Sequence, residues 1–231
     1  MSLFIILFAI LLALPVFFPQ ADLFLSSLFY RAGAGGFFLS DNAGFLAMQK
    51  LAFNGARILA AAFLILTLVS WMRQKKIILD TKAWVFLLLA LLVGPGLVAN
   101  VGFKDHWGRA RPREVVEFGG NEKFSPALVP HFEKAKSNGS FVSGDGAFGF
   151  YFPTFAYVVP RRRSRRVFWG GMVIGGLFGF CRLATGAHFF SDVVYAAFFM
   201  LIASAGVFAA MYGKAETKAR WKAFFTQTSG A

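Results

Sequence analysis

A run of apolar stretches long enough to cross a lipid bilayer constrains this chain more than any other feature of its sequence. A helix rises about 1.5 Å per residue, so roughly 20 mostly apolar residues span a hydrocarbon core about 30 Å thick. Ser2 to Ala21 and Ala83 to Phe103 carry no charge, and Ile58 to Met72 is apolar and extends back through Asn54. Three further segments follow: Gly146 to Val159, Val167 to Cys181 and Val193 to Tyr212. The fourth and fifth are short unless their polar ends are counted, and shortness there fits a site let into the membrane surface. The pattern predicts an all-α, polytopic membrane protein with six transmembrane helices. A composition of 57% hydrophobic and 15% charged residues, with 31 phenylalanines, places the chain outside the range of soluble domains.

The first apolar run has the length of a signal peptide but lacks a basic leader and a small-x-small cleavage site, so it is read as an uncleaved first helix. With six spans, alternate loops fall on opposite sides of the membrane. One side holds Arg73 to Lys82, Pro160 to Arg166 and the tail from Gly213, with 13 lysines and arginines against two acids. The other side carries 10 basic residues against seven acids. The first side is therefore expected to face the cytoplasm. The formal net charge of +13 belongs to this asymmetry and to contact with anionic lipid, so no nucleic-acid partner is expected. A single cysteine, Cys181, excludes an internal disulfide framework, and no metal-binding spacing occurs. The tail from Lys214 interleaves Lys218, Arg220 and Lys222 with Trp221, Phe224 and Phe225, the composition of a short amphipathic surface helix. Neither repeats nor low-complexity linkers are evident, so one domain spans 1–231.

Three polar clusters interrupt this apolar pattern: Lys104-x6-Arg111-Pro112, then Ser143-Gly144-Asp145, then Arg182-x5-His188-x3-Asp192. In the expected topology all three lie at the outer membrane face. Lysine and arginine grip phosphate oxygens, and a histidine backed by a carboxylate serves as nucleophile or base. His188 and Asp192 are four residues apart and share a helical face, so Asp192 can accept a hydrogen bond from one ring nitrogen and leave the other free. Arg182 points away from that face on a continuous helix. A break at Thr185-Gly186-Ala187 is therefore required, and a helix restarting near Ala187 would aim N–H groups at an anion. Ser143 and Gly144 can offer a hydroxyl and backbone N–H groups at the start of the fourth span. Arg109 and Arg113 alternate with Arg111 and read as a solvated or headgroup-contacting rim, and His131 as a bystander.

The triplet resembles the type 2 phosphatidic acid phosphatase superfamily, whose pattern is K-x6-RP, PSGH and SR-x5-H-x3-D. The resemblance runs from about Lys104 to Asp192 and includes the six-helix layout. Two positions depart from the pattern: Cys181 replaces the serine before the arginine, and Asp145 replaces the histidine that serves the family as general acid. The resemblance implies that His188 attacks phosphorus to form a phosphohistidine, with Asp192 supporting it. It also assigns Lys104, Arg111, Ser143, Gly144 and Arg182 to the phosphate oxygens, with no metal or cofactor required. The leaving oxygen's proton would come from Asp145, from His106 two residues after Lys104, or from no protein group.

A site at the lipid surface meets a phosphate on a headgroup without extracting the lipid. The expected substrate is such a lipid phosphate, and the Asp-His-Trp-Gly-Arg-x-Arg-Pro setting of the first cluster is most similar to bacterial lipid A phosphatases. The site would then face the periplasm or exterior of a bacterial inner membrane. Polyprenyl diphosphate and phosphatidylglycerol phosphate are alternative substrates. A lipid phosphotransferase and a non-catalytic lipid-phosphate binder are alternative functions. No protein partner is inferred.

Overall fold

The computed structural model describes residues 2–104, 106–135 and 138–225. They form a helical bundle of a multi-pass membrane protein. Helix α1 (Ser2–Phe17) turns by 99° into the short α2 (Gln20–Ser27), with Pro15 near the end of α1 and Pro19 at the corner. Neither proline supplies a backbone N–H, which makes the bend cheap. A two-stranded hairpin pairing Tyr30–Arg31 with Gly36–Phe37 leads to α3 (Ala43–Arg73). The Asn42 side chain starts α3 by accepting from the N–H groups of Gly44 and Phe45. Asp80 caps α4 (Thr81–Leu91) in the same way, at 2.7 Å from Ala83 N. From Leu92 to Lys104 the same rod widens to π-helical geometry around Pro95 and delivers Lys104 at its end. A long loop follows, then α5 (Gly144–Tyr151), α6 (Arg161–Ala184), α7 (Phe190–Tyr212) and α8 (Lys214–Phe225).

Four rods are long and apolar enough to cross a membrane: Ala43–Arg73, Thr81–Lys104, Arg161–Ala184 and Phe190–Tyr212. The bent pair α1–α2 makes a fifth candidate. The expected fourth span is different in kind. It consists of the eight residues of α5 and the six-residue 3-10 helix Phe152–Tyr157, together roughly 24 Å long. The arginine cluster after Pro160 forms the first turns of α6, where the sequence suggested a loop.

Lipid tails give helices little hydrophobic reason to associate, so close backbone approach must hold them together. Glycines allow it between α5 and α6. A Cβ on Gly175 would lie 2.2 Å from the Phe150 ring, and one on Gly171 would lie 2.4 Å from the backbone nitrogen of Pro153. At the end away from the motifs, Phe86, Tyr157, Phe168, Phe208 and Phe224 are buried together. Helix α8 contributes Phe224, stacked on Phe168 at 4.9 Å, so the tail packs into the bundle as well as covering its surface. A second core of Phe141, Tyr195 and Trp107 lies under the motif end. Phe37, Phe118 and Phe189 seal a third beneath the loops.

Candidate active site

The three clusters meet around one cavity of about 520 Å³, lined by Lys104, Arg111, Arg113, Gly144, Asp145, Arg182 and His188. Lys104 arrives on the π-helical end of the Thr81–Lys104 rod and Arg111 on the loop that follows it. Gly139 packs against both, its Cβ position 3.4 Å from Lys104 Cγ and 3.9 Å from Arg111 Nη2. Arg182 comes from the last turn of α6. Helix α3 adds Leu46, Gln49, Lys50, Phe53 and Asn54 as a wall. Lys50 and Arg57 lie on this helix, which begins at Ala43, ahead of the Asn54 limit that the sequence suggested. Lys104, Arg111, Arg113 and Arg182 face the Asp145 carboxylate across the cavity, with Lys50 apart from them on the α3 wall, an electrostatic setting that favours an anion.

The chain breaks between α6 and α7 as the spacing requires. Gly186 sits at φ +65°, where a Cβ would also lie 2.3 Å from the Phe37 ring, so glycine is needed for both conformation and room. The expected restart near Ala187 is corrected: α7 begins at Phe190. The N–H groups of Ala187 and His188 both donate to Arg182 O, and Phe189 N donates to Asp192 Oδ2. The amides of this turn therefore hold the turn itself and are not turned toward an anion. At the start of helix α5, Ser143 Oγ caps Gly146 N, while Gly144 and Asp145 line the cavity. Ser143 is fully buried and lies behind the wall.

His188 is almost wholly buried, and its Nδ1 lies 2.7 Å from Ser140 O. A carbonyl only accepts, so Nδ1 carries the proton and Nε2 keeps its lone pair. Burial is the largest influence on the ring and holds its pKa below the ordinary imidazole value, so the neutral nucleophilic form persists. The expected hydrogen bond from the ring to Asp192 is corrected, since Asp192 Oδ2 is 3.8 Å from Nδ1. Asp192 instead accepts from Ser140 Oγ at 2.6 Å, from Phe189 N at 2.8 Å and from Arg109 Nη1 at 2.5 Å. Ser140 links the two, its hydroxyl donating to Asp192 and its carbonyl accepting from His188 Nδ1.

Arg109 overturns its reading as a solvated rim, because its exposure is 0%. Its guanidinium bridges Asp192 and Asp22, the latter at 2.8 Å, and also donates to Ser125 O and Ser191 Oγ. Desolvation alone would lower its pKa, but the two carboxylates reverse the sign and raise it. Asp22, on α2, also accepts from the N–H and hydroxyl of Ser191. Spacing along the chain does not reveal this network. The one signal for Asp22 was a charge closing an uncharged apolar run, an arrangement that demands a partner.

Arg182 Nε lies 2.9 Å from Asp145 Oδ2 but outside hydrogen-bonding geometry, so a buried N–H keeps an unspent donor beside the cavity. Such a donor is costly without an acceptor, and a phosphate oxygen would supply one. Arg111 is half-exposed and paired with Glu114 at 3.1 Å. Arg113 lines the cavity as a rim residue. His106 is exposed, bonded through Nδ1 to Val101 O, and lies outside the cavity lining. His131 pairs with Glu133 and lines a separate cavity.

Comparison with known proteins agrees with this geometry. Residues 83–216 match the model of the PAP2 superfamily. A protein named lipid A 4′-phosphatase from Francisella tularensis subsp. novicida (strain U112) is 38% identical over 201 residues, covering 86% of this chain and 90% of that one. A protein of the same name from Rhizobium leguminosarum is 33% identical over 226 residues, covering 92% and 94%. No solved structure matches. A family model covering more than half of the chain and relatives aligned over nearly all of it place this protein in the PAP2 superfamily.

Proposed function

We propose that this chain is a membrane lipid phosphatase that hydrolyses a phosphate ester of lipid A through a phosphohistidine. The observation that carries the mechanism is His188 held as the Nδ1–H tautomer, with Nε2 free in a cavity ringed by Lys104, Arg111 and Arg182. Nε2 attacks phosphorus, an N–P bond forms, and the P–O bond to the sugar breaks. Asp145, which lines the cavity where His106 does not, protonates the leaving oxygen. The incoming phosphate displaces Asp145 from Arg182, and the carboxyl group, no longer paired with that cation, carries the proton that it gives to the leaving oxygen. Water then attacks phosphorus and gives a proton to the Asp145 carboxylate left by the first step, the N–P bond breaks, inorganic phosphate leaves, and the acid is restored. Cationic side chains and the start of α5 carry the charge spread over the transition state. Lipid A is favoured because two relatives aligned along almost the whole chain carry that activity in their names.

The chain then crosses the membrane six times within one domain, α5 with its 3-10 extension serving as the short fourth crossing. The cavity then opens at the outer face of a bacterial inner membrane, toward the periplasm. The excess of basic residues on the opposite loops supports this orientation. The test is phosphate release from lipid A, polyprenyl diphosphate and phosphatidate by detergent-purified protein, wild type against His188→Ala. Release from lipid A that disappears in the variant is the expected result. Release that survives the substitution rejects the mechanism, and release only from another lipid rejects the substrate.

A further inference from the structure

Helix α3 is longer than a bilayer needs. Its 31 residues extend about 46 Å, half as long again as the hydrocarbon core. Apart from the terminal Arg73, its charges are confined to the first half, at Lys50 and Arg57, and Ile58 to Met72 is uncharged. These two cations are seven residues apart, nearly two full turns, so they share a face with about 10 Å of rise between them. Ionisable residues on a spanning helix are expensive and mark a functional path.

This face looks into the protein's own clefts. Gln49, Lys50, Phe53 and Asn54 form a wall of the cavity that contains His188. Phe53 and Arg57 continue that wall into a second cavity of about 300 Å³, which shares Lys104, Gly144 and Asp145 with the first but not His188. The Arg57 guanidinium rests 3.6 Å from the centre of the Phe53 ring, and its Nη1 donates to Phe53 O at 3.4 Å. Its charge is therefore presented at a defined place on an exposed side chain. Opposite it, Asn100 spends its amide N–H on Pro95 O at 2.6 Å, leaving its side-chain oxygen as an acceptor. Two cations, an aromatic face and a carbonyl acceptor are the groups that recognise a phosphorylated sugar.

We propose that Lys50 and Arg57 form a second anion subsite, which takes a further negatively charged group of the same lipid headgroup while His188 addresses the reacting phosphate. This inference rests on the lipid phosphatase reading and adds a specificity element to it. A charge-assisted hydrogen bond to a bound anion is worth about ten- to hundred-fold in affinity.

The test compares wild type with Lys50→Gln/Arg57→Gln on three substrates: lipid A carrying two phosphates, lipid A carrying only the 4′-phosphate, and para-nitrophenyl phosphate. Wild type is expected to prefer the diphosphorylated lipid at least tenfold in kcat/KM, through KM. The double variant should lose that preference, and its loss on the soluble ester should be at least tenfold smaller than on the diphosphorylated lipid. No preference in wild type, or equal losses on all three substrates, overturns the subsite. Stimulation of monophosphorylated lipid hydrolysis by added phosphatidylglycerol, lost in the double variant, assigns the cations to a neighbouring lipid and also overturns it. A wild type inactive on all three substrates defeats the phosphatase reading alone, and thermal-shift binding of the two lipids then decides. Tighter binding of the diphosphorylated form that vanishes in the double variant supports the subsite, and equal binding refutes it.

Discussion

Replacing Arg109 with methionine leaves two fully buried carboxylates, Asp22 and Asp192, facing each other without the cation that joins them. Removing one member of a buried ion pair costs about 3–5 kcal/mol, because the remaining charge keeps its desolvation penalty and loses its attraction. Here two such charges remain, so the upper half of that range applies. For a chain of this size, 1 kcal/mol corresponds to roughly 2–4 °C in melting temperature, so Arg109→Met should lower Tm by about 8–20 °C. Arg111 is the internal control. Two residues away, it is half-exposed and paired with Glu114, and such pairs contribute under about 1 kcal/mol. Arg111→Met should therefore move Tm by less than about 4 °C while abolishing phosphate release. The assay is thermal unfolding in detergent followed by tryptophan fluorescence, with both variants purified alongside wild type. Adding Asp22→Asn to Arg109→Met should recover part of the loss, because one stranded charge is then removed. A Tm for Arg109→Met within 3 °C of wild type, or no recovery in the double variant, would refute the reasoning.

The remaining predictions follow from the histidine and its setting. Burial holds the His188 pKa below its ordinary value of about 6.5, and only the neutral ring attacks. Activity is therefore lost as pH falls through that lowered value, and the acidic limb of kcat/KM should lie below pH ~6.5. A limb at or above that value would contradict the assignment. Gly186→Ala forces a side chain into a left-handed backbone and against Phe37. A loss of about 1–2 kcal/mol in stability from conformation alone, together with reduced turnover, is expected in melting and phosphate-release assays, and wild-type values for both would exclude the turn from the account. Asp145→Asn should slow release from lipid A far more than from para-nitrophenyl phosphate, whose leaving group needs little protonation. Equal losses would remove Asp145 as the acid.

The convergence of the three clusters was legible in the sequence because each is a short motif fixed to the end of an apolar run, and alternate runs end on the same side. The finer geometry was not. The i, i+4 spacing of His188 and Asp192 implied a shared helical face, but α7 begins only at Phe190, so His188 precedes the helix and the spacing rule does not govern it. The ring's true partner, Ser140, is 48 residues away. Arg109 alternates with Arg111 and Arg113, a pattern normal for a solvated strip, while a carboxylate that it pairs with, Asp22, is 87 residues away on the short helix α2. Local periodicity carries no information about such a contact. The part of α3 before Asn54 was not legible because Gln49 and Lys50 interrupt its hydropathy, although on a helix Lys50, Asn54 and Arg57 gather on one face. The brevity of α5 was visible in the sequence, and the polar cluster at its start is where the site formed.

The most direct test of the central claim is to look for the covalent adduct. Wild-type protein mixed with lipid A, quenched with alkali within milliseconds to preserve an N–P bond, and digested for mass spectrometry should show one added phosphoryl group on the peptide containing His188, with phosphate at Nε2. The adduct should form and decay at rates compatible with turnover, and it should be absent from His188→Ala. Steady phosphate release with no phosphoryl group on His188 at any time would contradict the account, because the uncapped Nε2 in that ring of cations would then serve some purpose other than attack.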